Sequence, residues 1–483
     1  MNGFMLDSAR CLENRDYYRK VISFAADRGM NTILWHFTDD QGCMMKFDSH
    51  PEIASPHAYS KQEMKSLIRF AKKQGVTLIP ELETLGHSRY ITEHKKYRHL
   101  REGKGNWQTS LCPVHPETRK IMSELIAEVV EIFDSPWIHA GLDEVGYGYH
   151  QRTKTALKKQ TKAELFADYI NFIHKEITAN DRKMMMWGDH LLADNAIAPL
   201  ISKDILICDW HYDPPVASRS VKYLLSQGFN LLLCPGLIWH QEKLFAGRDA
   251  IAGVRSFSRH RSMKGRGHIK GMITTVWTPT RYMHDSLWMP MSLSAEIMKR
   301  GSKVSFDASA KRFADSFYEF NAPFVWVEAC RYVSDNIPAR TEQLALLGFA
   351  NGLKGWRLNT RRVKEWDKVA ETLTFFRTSI KKNRRAYDTY LLMVRLVALL
   401  YDRADAIERK RIGKTVNEKR IHKILQKQET ILSAIEETWD RERYADDPKK
   451  IKPTFPFDEE NHLIPLLRDA FARTSVIQLS CSK

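Results

Sequence analysis

The feature that most restricts what this chain can fold into is an alternation. From Gly3 to about Met298, short apolar runs exchange eight times with amphipathic helical stretches, the pattern of repeated parallel β/α units. The runs are Gly3 to Ser8, Asn31 to Phe37, Val76 to Leu82, Trp137 to Leu142, Met184 to Gly188, Ile205 to Trp210, Asn230 to Cys234 and Gly271 to Trp277. The intervening helices carry their own start and stop signals. Ser60 and Glu63 form a capping-box pattern ahead of Met64, Leu67, Ile68 and Ala71, Gly75 follows, and Thr161 with Glu164 repeats the device. Asn14 can cap a helix carrying Tyr18, Val21, Ile22 and Ala25, which Gly29 can end. Eight such units predict an α/β fold of the TIM (β/α)8 barrel type. A doubly wound open sheet is the competing arrangement, but no glycine-rich phosphate turn follows the first run.

Past Ser302 the apolar residues fall at helical spacing, in Phe306 to Phe320, Tyr390 to Tyr401 and Ile421 to Ile435. A chain of 483 residues exceeds one compact core, so the pattern divides into a barrel over residues 1–300 and an all-helical C-terminal domain over residues 301–483. The most apolar stretch, Tyr390 to Tyr401, is too short to cross a bilayer and holds Arg395; no membrane partner is expected. No basic-then-apolar leader opens the chain, and its seven cysteines are scattered without CxxC pairs or zinc-like spacing. These features point to a cytoplasmic protein with reduced thiols, although a chain trimmed of a leader reads the same way. The formal charge of +17 is spread along helices such as Arg409 to Lys427 without interleaved aromatics, which argues against a nucleic-acid partner.

In a parallel barrel, chemistry belongs at the C-terminal ends of the strands. Here those ends read Asp7-Ser8-Ala9-Arg10, His36-Phe37-Thr38-Asp39-Asp40, Glu81-Leu82-Glu83, Asp143-Glu144, Trp187-Gly188-Asp189, Trp210-His211-Tyr212, Trp239 and Trp277. Carboxylates and arginine bind hydroxyls while tryptophan faces stack on sugar rings, so the rim suits a polyhydroxylated ligand. Glycoside hydrolysis needs a proton donor at the leaving oxygen and support for positive charge at the anomeric carbon. Asp143 and Glu144 can divide these tasks, since neighbouring side chains on a strand point apart. Taken alone the pair also reads as a solvated Asp-Glu at the start of a loop; its surroundings decide.

Those surroundings resemble a known family. Trp137-Ile-His-Ala-Gly-Leu-Asp-Glu-Val145 is similar to the catalytic strand of glycoside hydrolase family 20, the β-N-acetylhexosaminidases. Gly3 to Arg10 resembles the family's first strand, Asn31 to Gly42 its second, Leu85-Gly-His-Ser88 the turn after its third, and Leu111-Cys-Pro113 the approach to the fourth. The stretch from Glu83 through Leu100 to the catalytic strand looks most like the hexosaminidase D branch. The resemblance implies an exo-acting retaining β-N-acetylhexosaminidase that removes terminal β-linked GlcNAc or GalNAc from a glycan or glycoconjugate, with Glu144 as acid/base. Asp143 would hold the substrate's acetamido group, whose carbonyl oxygen serves as nucleophile through an oxazolinium intermediate. Neither metal nor organic cofactor is implied. Arg10 matches the arginine that forks onto sugar hydroxyls, and His87, with Asp39, a histidine that tunes the acid by supporting a raised pKa. Trp187 and Trp277 match tryptophans walling the N-acetyl pocket; Trp210 and Trp239 are lesser candidates.

Two departures from the family stand out. The tyrosine that binds the acetamido oxygen after strand seven is absent from Cys234-Pro-Gly-Leu-Ile-Trp239, leaving Tyr212 to take that role, and Thr275-Val-Trp-Thr-Pro279 lacks the acid near the last tryptophan. Preference between gluco and galacto sugars therefore stays open. So do a catalytically silent glycan-binding protein on the same barrel, an endo-acting acetamido-directed glycosidase, and a homo-oligomer in which a second subunit completes the site.

Overall fold

A computed structural model describes residues 1–105, 109–238, 246, 248–338, 340–347, 358–443 and 462–479. Eight strands close into a parallel barrel: β1 (Asn2–Asp7), β2 (Thr32–His36), β5 (Thr77–Glu81), β6 (Trp137–His139), β7 (Lys183–Trp187), β8 (Leu206–His211), β9 (Asn230–Ile238) and β10 (Ile269–Val276). A small antiparallel hairpin, β3 (Thr38–Asp39) with β4 (Gly42–Cys43), follows β2. Helices separate the barrel strands as the alternation predicts, and both capping boxes form. Asn14 accepts from the Tyr17 amide at the start of helix Arg15–Asp27.

The barrel is filled from inside by Met5, Leu34, Ile79, Met185, Trp187, Leu206, Cys208, Leu232, Cys234 and Ile273, all essentially without exposure, so it is a packed core and not a pore. One layer nearer the C-terminal ends, strand register turns polar. Asp7 pairs with His36, His36 with Glu81, and Glu81 with His139. Four ionisable side chains on four adjacent strands thus meet at one level, directly above the apolar filling.

One element is shorter than its pattern. The run Trp137 to Leu142 reads as a strand throughout, but β6 ends at His139, because Gly141 and Leu142 adopt φ of +65° and +71°, outside the extended region. Strand alternation therefore does not orient Asp143 and Glu144; a left-handed turn does. β9 is longer than expected, running past Cys234 to Ile238.

Compact units divide the chain as residues 1–236, 252–278 and 297–302 on one side and 237–251, 279–296 and 303–483 on the other. The sequence pattern places the division at residue 300; the units interleave around that point. The second unit is helical, built on Phe306–Tyr318, Phe324–Asn336, Thr360–Phe376, Arg384–Arg411 and Glu418–Glu442. Trp326, Trp366 and Trp439 are buried within it, so its apolar stripes are core. Among the described residues no helix is long and apolar enough to cross a membrane. Six described cysteines are buried and none of them is in a disulfide among the described residues; Cys481 lies outside the described residues.

The capping box at Ser60 supplies acceptors for otherwise unpaired amides at the start of helix Lys61–Lys73. Ser60→Ala is expected to cost about 1 kcal/mol, measured as a lowered urea midpoint for the barrel unit with the m-value unchanged.

Candidate active site

The polar layer and the turns above it form a continuous charged cluster. Arg10 lies between two carboxylates, Nη1 at 2.9 Å from Asp7 and Nη2 at 2.7 Å from Asp39, with its guanidinium 5.3 Å from the centre of the Trp277 ring. Burial works against its charge, but Asp39 and Asp7 outweigh it and raise its pKa, so Arg10 stays a cation. Asp39 also lies 2.8 Å from His36 Nε2, and the other His36 nitrogen lies 3.1 Å from Glu81. Between two acids, His36 is pushed well above the ordinary histidine range in spite of its burial. Burial pushes Asp39 upward, yet Arg10 and His87 hold it well below the usual carboxylate range. Asp39 is closed off from solvent, so it acts on a ligand through the two groups it holds, Arg10 and His87.

His87 joins this layer to the carboxylate pair. Its Nδ1 lies 3.4 Å from Asp39 and 3.3 Å from Asp40, while its Nε2 lies 3.6 Å from Asp143 and 3.4 Å from Glu144. Burial alone lowers its pKa, but Asp39 and Asp143 raise it well above the ordinary value, and the ring is an imidazolium. The consequence for the pair reverses one expectation. His87 does not raise the pKa of Glu144: its hydrogen bond, the largest influence, holds that carboxyl below the usual range. Asp143 is the raised member, pushed to about 7 by burial, with Asp189 and Glu144 adding negative charge and His87 opposing. The physical reason is exposure, since the Glu144 side chain is 57% exposed and that of Asp143 only 13%, and desolvation penalises the buried charge.

The aromatic candidates separate by depth. Trp187 has no exposure, donates its indole N–H to Glu81 at 2.7 Å and packs within the barrel core. Trp277 retains partial exposure and lies 6.0 Å from Trp187, centre to centre. It donates to the Tyr212 hydroxyl at 2.6 Å, and Trp210 lies 5.0 Å from the Tyr212 ring. Trp277, Tyr212 and Trp210 thus form one aromatic wall, with Trp187 beneath it. Trp239 lies outside the described residues.

Several residues placed at the rim by sequence, but given no task there, belong to the site: His36, Glu81, Glu83, Asp40 and Asp189. Glu83 is the most informative. Its carboxyl is buried without a hydrogen-bond partner among the described residues, and burial together with Asp143 raises its pKa well above the ordinary value, so it is held neutral. Repetition of acids at strand ends was the available signal, but spacing does not say which of them lose their water. Potential metal-ligand atoms of His36, Glu81 and Glu83, and those of Asp39, Asp40 and His87, lie within 4.8 Å of one another. In the second group a cation would compete with Arg10, already 2.7 Å from Asp39.

A closed parallel barrel with a cluster of charged residues gathered at the C-terminal strand ends defines a (β/α)8 protein with its candidate site at that face. More narrowly, the chain belongs to family 20 of the glycosyl hydrolases: the model of that family's catalytic domain matches residues 2–285. It is similar to the beta-hexosaminidase of Vibrio furnissii, 26% identical over 273 residues that cover 48% of this chain and 43% of that one. It is also similar to hexosaminidase D of Bos taurus, 26% identical over 182 residues covering 36% and 51%. The chain thus spans about half the length of these relatives or less. In fold it resembles the chitobiase of Flavobacterium johnsoniae, with a TM-score of 0.54 at 16% identity over 98% of this chain and 77% of that one.

A Cβ at Gly141 would stand 2.0 Å from the Glu83 carboxylate, at a φ of +65°, so only glycine fits there without displacing Glu83. Gly141→Ala is expected to lower stability by about 2 kcal/mol or more, read as a reduced denaturation midpoint. Gly75→Ala, also at positive φ but with open space around it, is expected to cost about half as much.

Proposed function

We propose that this chain is an exo-acting, retaining β-N-acetylhexosaminidase that removes terminal β-linked N-acetylhexosamine by substrate-assisted catalysis. The observation that carries the reading is the convergence of adjacent carboxyls, Asp143 and Glu144, on one imidazolium nitrogen of His87, beside a fixed arginine and an aromatic wall. Two carboxyls with one cation between them are easily kept in different protonation states. In the free protein Asp143 is the raised member and Glu144 the lowered one; a bound sugar reverses that order, and the tasks divide accordingly. The more buried Asp143 accepts the acetamido N–H and aims the carbonyl oxygen at the anomeric carbon. As that oxygen bonds to the carbon, the glycosidic C–O bond breaks and Glu144 protonates the leaving oxygen. Glu144 then takes a proton from the water that opens the oxazolinium ring, and two inversions leave the configuration retained.

A seated sugar strips water from the exposed Glu144 carboxyl and raises its pKa toward that of a working acid. Arg10 has N–H donors left over after Asp7 and Asp39 are satisfied, enough to bind sugar hydroxyls. Family membership and the likeness to beta-hexosaminidases support the sugar class.

Two tests follow. Glu144→Gln is expected to lose roughly 10²- to 10⁴-fold in kcat/KM on chitobiose, whose alcohol leaving group needs a proton, and far less on the 4-nitrophenyl β-glycosides of GlcNAc and GalNAc, whose leaving group does not. Asp143→Asn is expected to lose comparably on both. Equal losses for Glu144→Gln on the two substrate types would remove it as the acid, and a wild type that binds N-acetylhexosamine without turnover would transfer the case to a glycan-binding protein. Second, Asp143 must accept a hydrogen bond, and its pKa is raised to about 7 by burial first and by Asp189 and Glu144 next. It is therefore protonated below that value, and kcat/KM is expected to fall as pH drops through about 7, measured as a pH–rate profile.

A further inference from the structure

The turn that carries the catalytic pair is backbone of a costly kind. Gly141, Leu142 and Glu144 all have positive φ, at +65°, +71° and +48°, and for the two non-glycine residues this costs about 1 kcal/mol or more each. Such a conformation also turns successive amides away from the barrel ladder. Their partners are side chains from the start of the short helix Asp189–Ala193 and from Ser110. Glu144 N–H donates to Asp189 Oδ2 at 3.1 Å, Val145 N–H to His190 Nε2 at 2.9 Å, and Gly146 N–H to Ser110 Oγ at 3.1 Å.

We propose that Asp189 and His190, which follow β7, are positioning residues that clamp the turn between Leu142 and Val145 and so fix the direction in which Glu144 leaves the backbone. The inference rests on Asp143 and Glu144 being the catalytic pair. His190 accepts through Nε2, and its ring packs against Phe166, 4.8 Å away centre to centre. Asp189 has one carboxylate oxygen on the Glu144 amide, while the other is buried without a hydrogen-bond partner among the described residues. A hydrogen bond to a charged acceptor is worth more than a neutral one, and here it is spent on the acid's own amide. Two adjacent acceptors on one short segment therefore hold two adjacent amides in a conformation the chain would not choose alone.

Asp189 has a second effect. Burial raises the Asp189 carboxyl above its ordinary value, with His190 opposing. In its charged form it faces Asp143 together with Glu144 and Glu81, while His87 opposes them, and Glu83, His139 and the Tyr212 hydroxyl also interact with Asp143. Removing the Asp189 charge lowers the Asp143 pKa and extends its ionised form to lower pH.

The test combines steady-state kinetics on chitobiose with hydrogen exchange at the Glu144 and Val145 amides. In Asp189→Ala and His190→Ala, kcat is expected to fall roughly 10- to 100-fold with KM within about twofold, and exchange at the two amides to accelerate about tenfold or more. Asp189→Asn keeps an acceptor oxygen and loses the charge. It is expected to recover most of kcat while the acid limb of the pH profile moves to lower pH, a shift that a merely structural role would not produce. Wild-type exchange rates in both alanine variants would overturn the clamp, as would a rise in KM at unchanged kcat. A wild type without turnover sinks the hydrolase reading alone, because amide exchange still decides whether the clamp exists.

Discussion

The site depends on one buried ion pair, Arg10 with Asp39, at 2.7 Å. Asp39 is the point at which three cations meet: Arg10 from the end of β1, His36 from the end of β2 and His87 from the turn after β5. Removing one member of such a pair leaves an unpaired charge out of water, at a cost of about 3 to 5 kcal/mol. The cluster is therefore tolerable only whole, and the register that pairs Asp7, His36, Glu81 and His139 across four strands is what assembles it. The barrel supplies rigidity, and the ionic layer uses that rigidity to hold His87 beneath two carboxyls.

From this layer upward, exposure assigns the tasks. Glu81, Asp39 and Glu83 have essentially no contact with solvent, yet they shift in opposite directions: Arg10 and His87 outweigh burial at Asp39, and His36 and His139 outweigh it at Glu81, whereas at Glu83 burial and Asp143 prevail over His87 and His36. Asp143 and Glu144 repeat the contrast at the surface. Neighbours in sequence, they differ in how much water they keep, and that difference moves their carboxyls in opposite directions, Asp143 upward and Glu144 downward. A left-handed turn makes the difference possible, since a strand would have sent the two side chains to opposite faces of the barrel wall.

Much of the fold was legible in the chain itself. The capping boxes at Ser60 and Thr161 read directly because they depend only on contacts three residues apart, and the eight apolar runs because burial inside a barrel demands them. What misread was the end of β6, where Leu142 looks like the last apolar residue of a strand and is instead the second residue of a turn. Trp187 and Trp277 look alike at the ends of their strands. One is core and the other is wall, a distinction of depth that linear spacing does not carry.

By itself the sequence determined the eight barrel strands, the helix caps, the helical character past Ser302 and the set of polar side chains at the strand ends, because each follows from local periodicity or from residue type. Tertiary structure alone decided which of those side chains meet. Asp39, Glu81 and Asp189 are far apart in the chain and ordinary in isolation, and their charges acquire consequence only when closure of the barrel brings them together and removes the water between them. The reversal at Asp143 and Glu144 has the same origin: a pKa reports solvation and neighbouring charge, and both are properties of the folded chain.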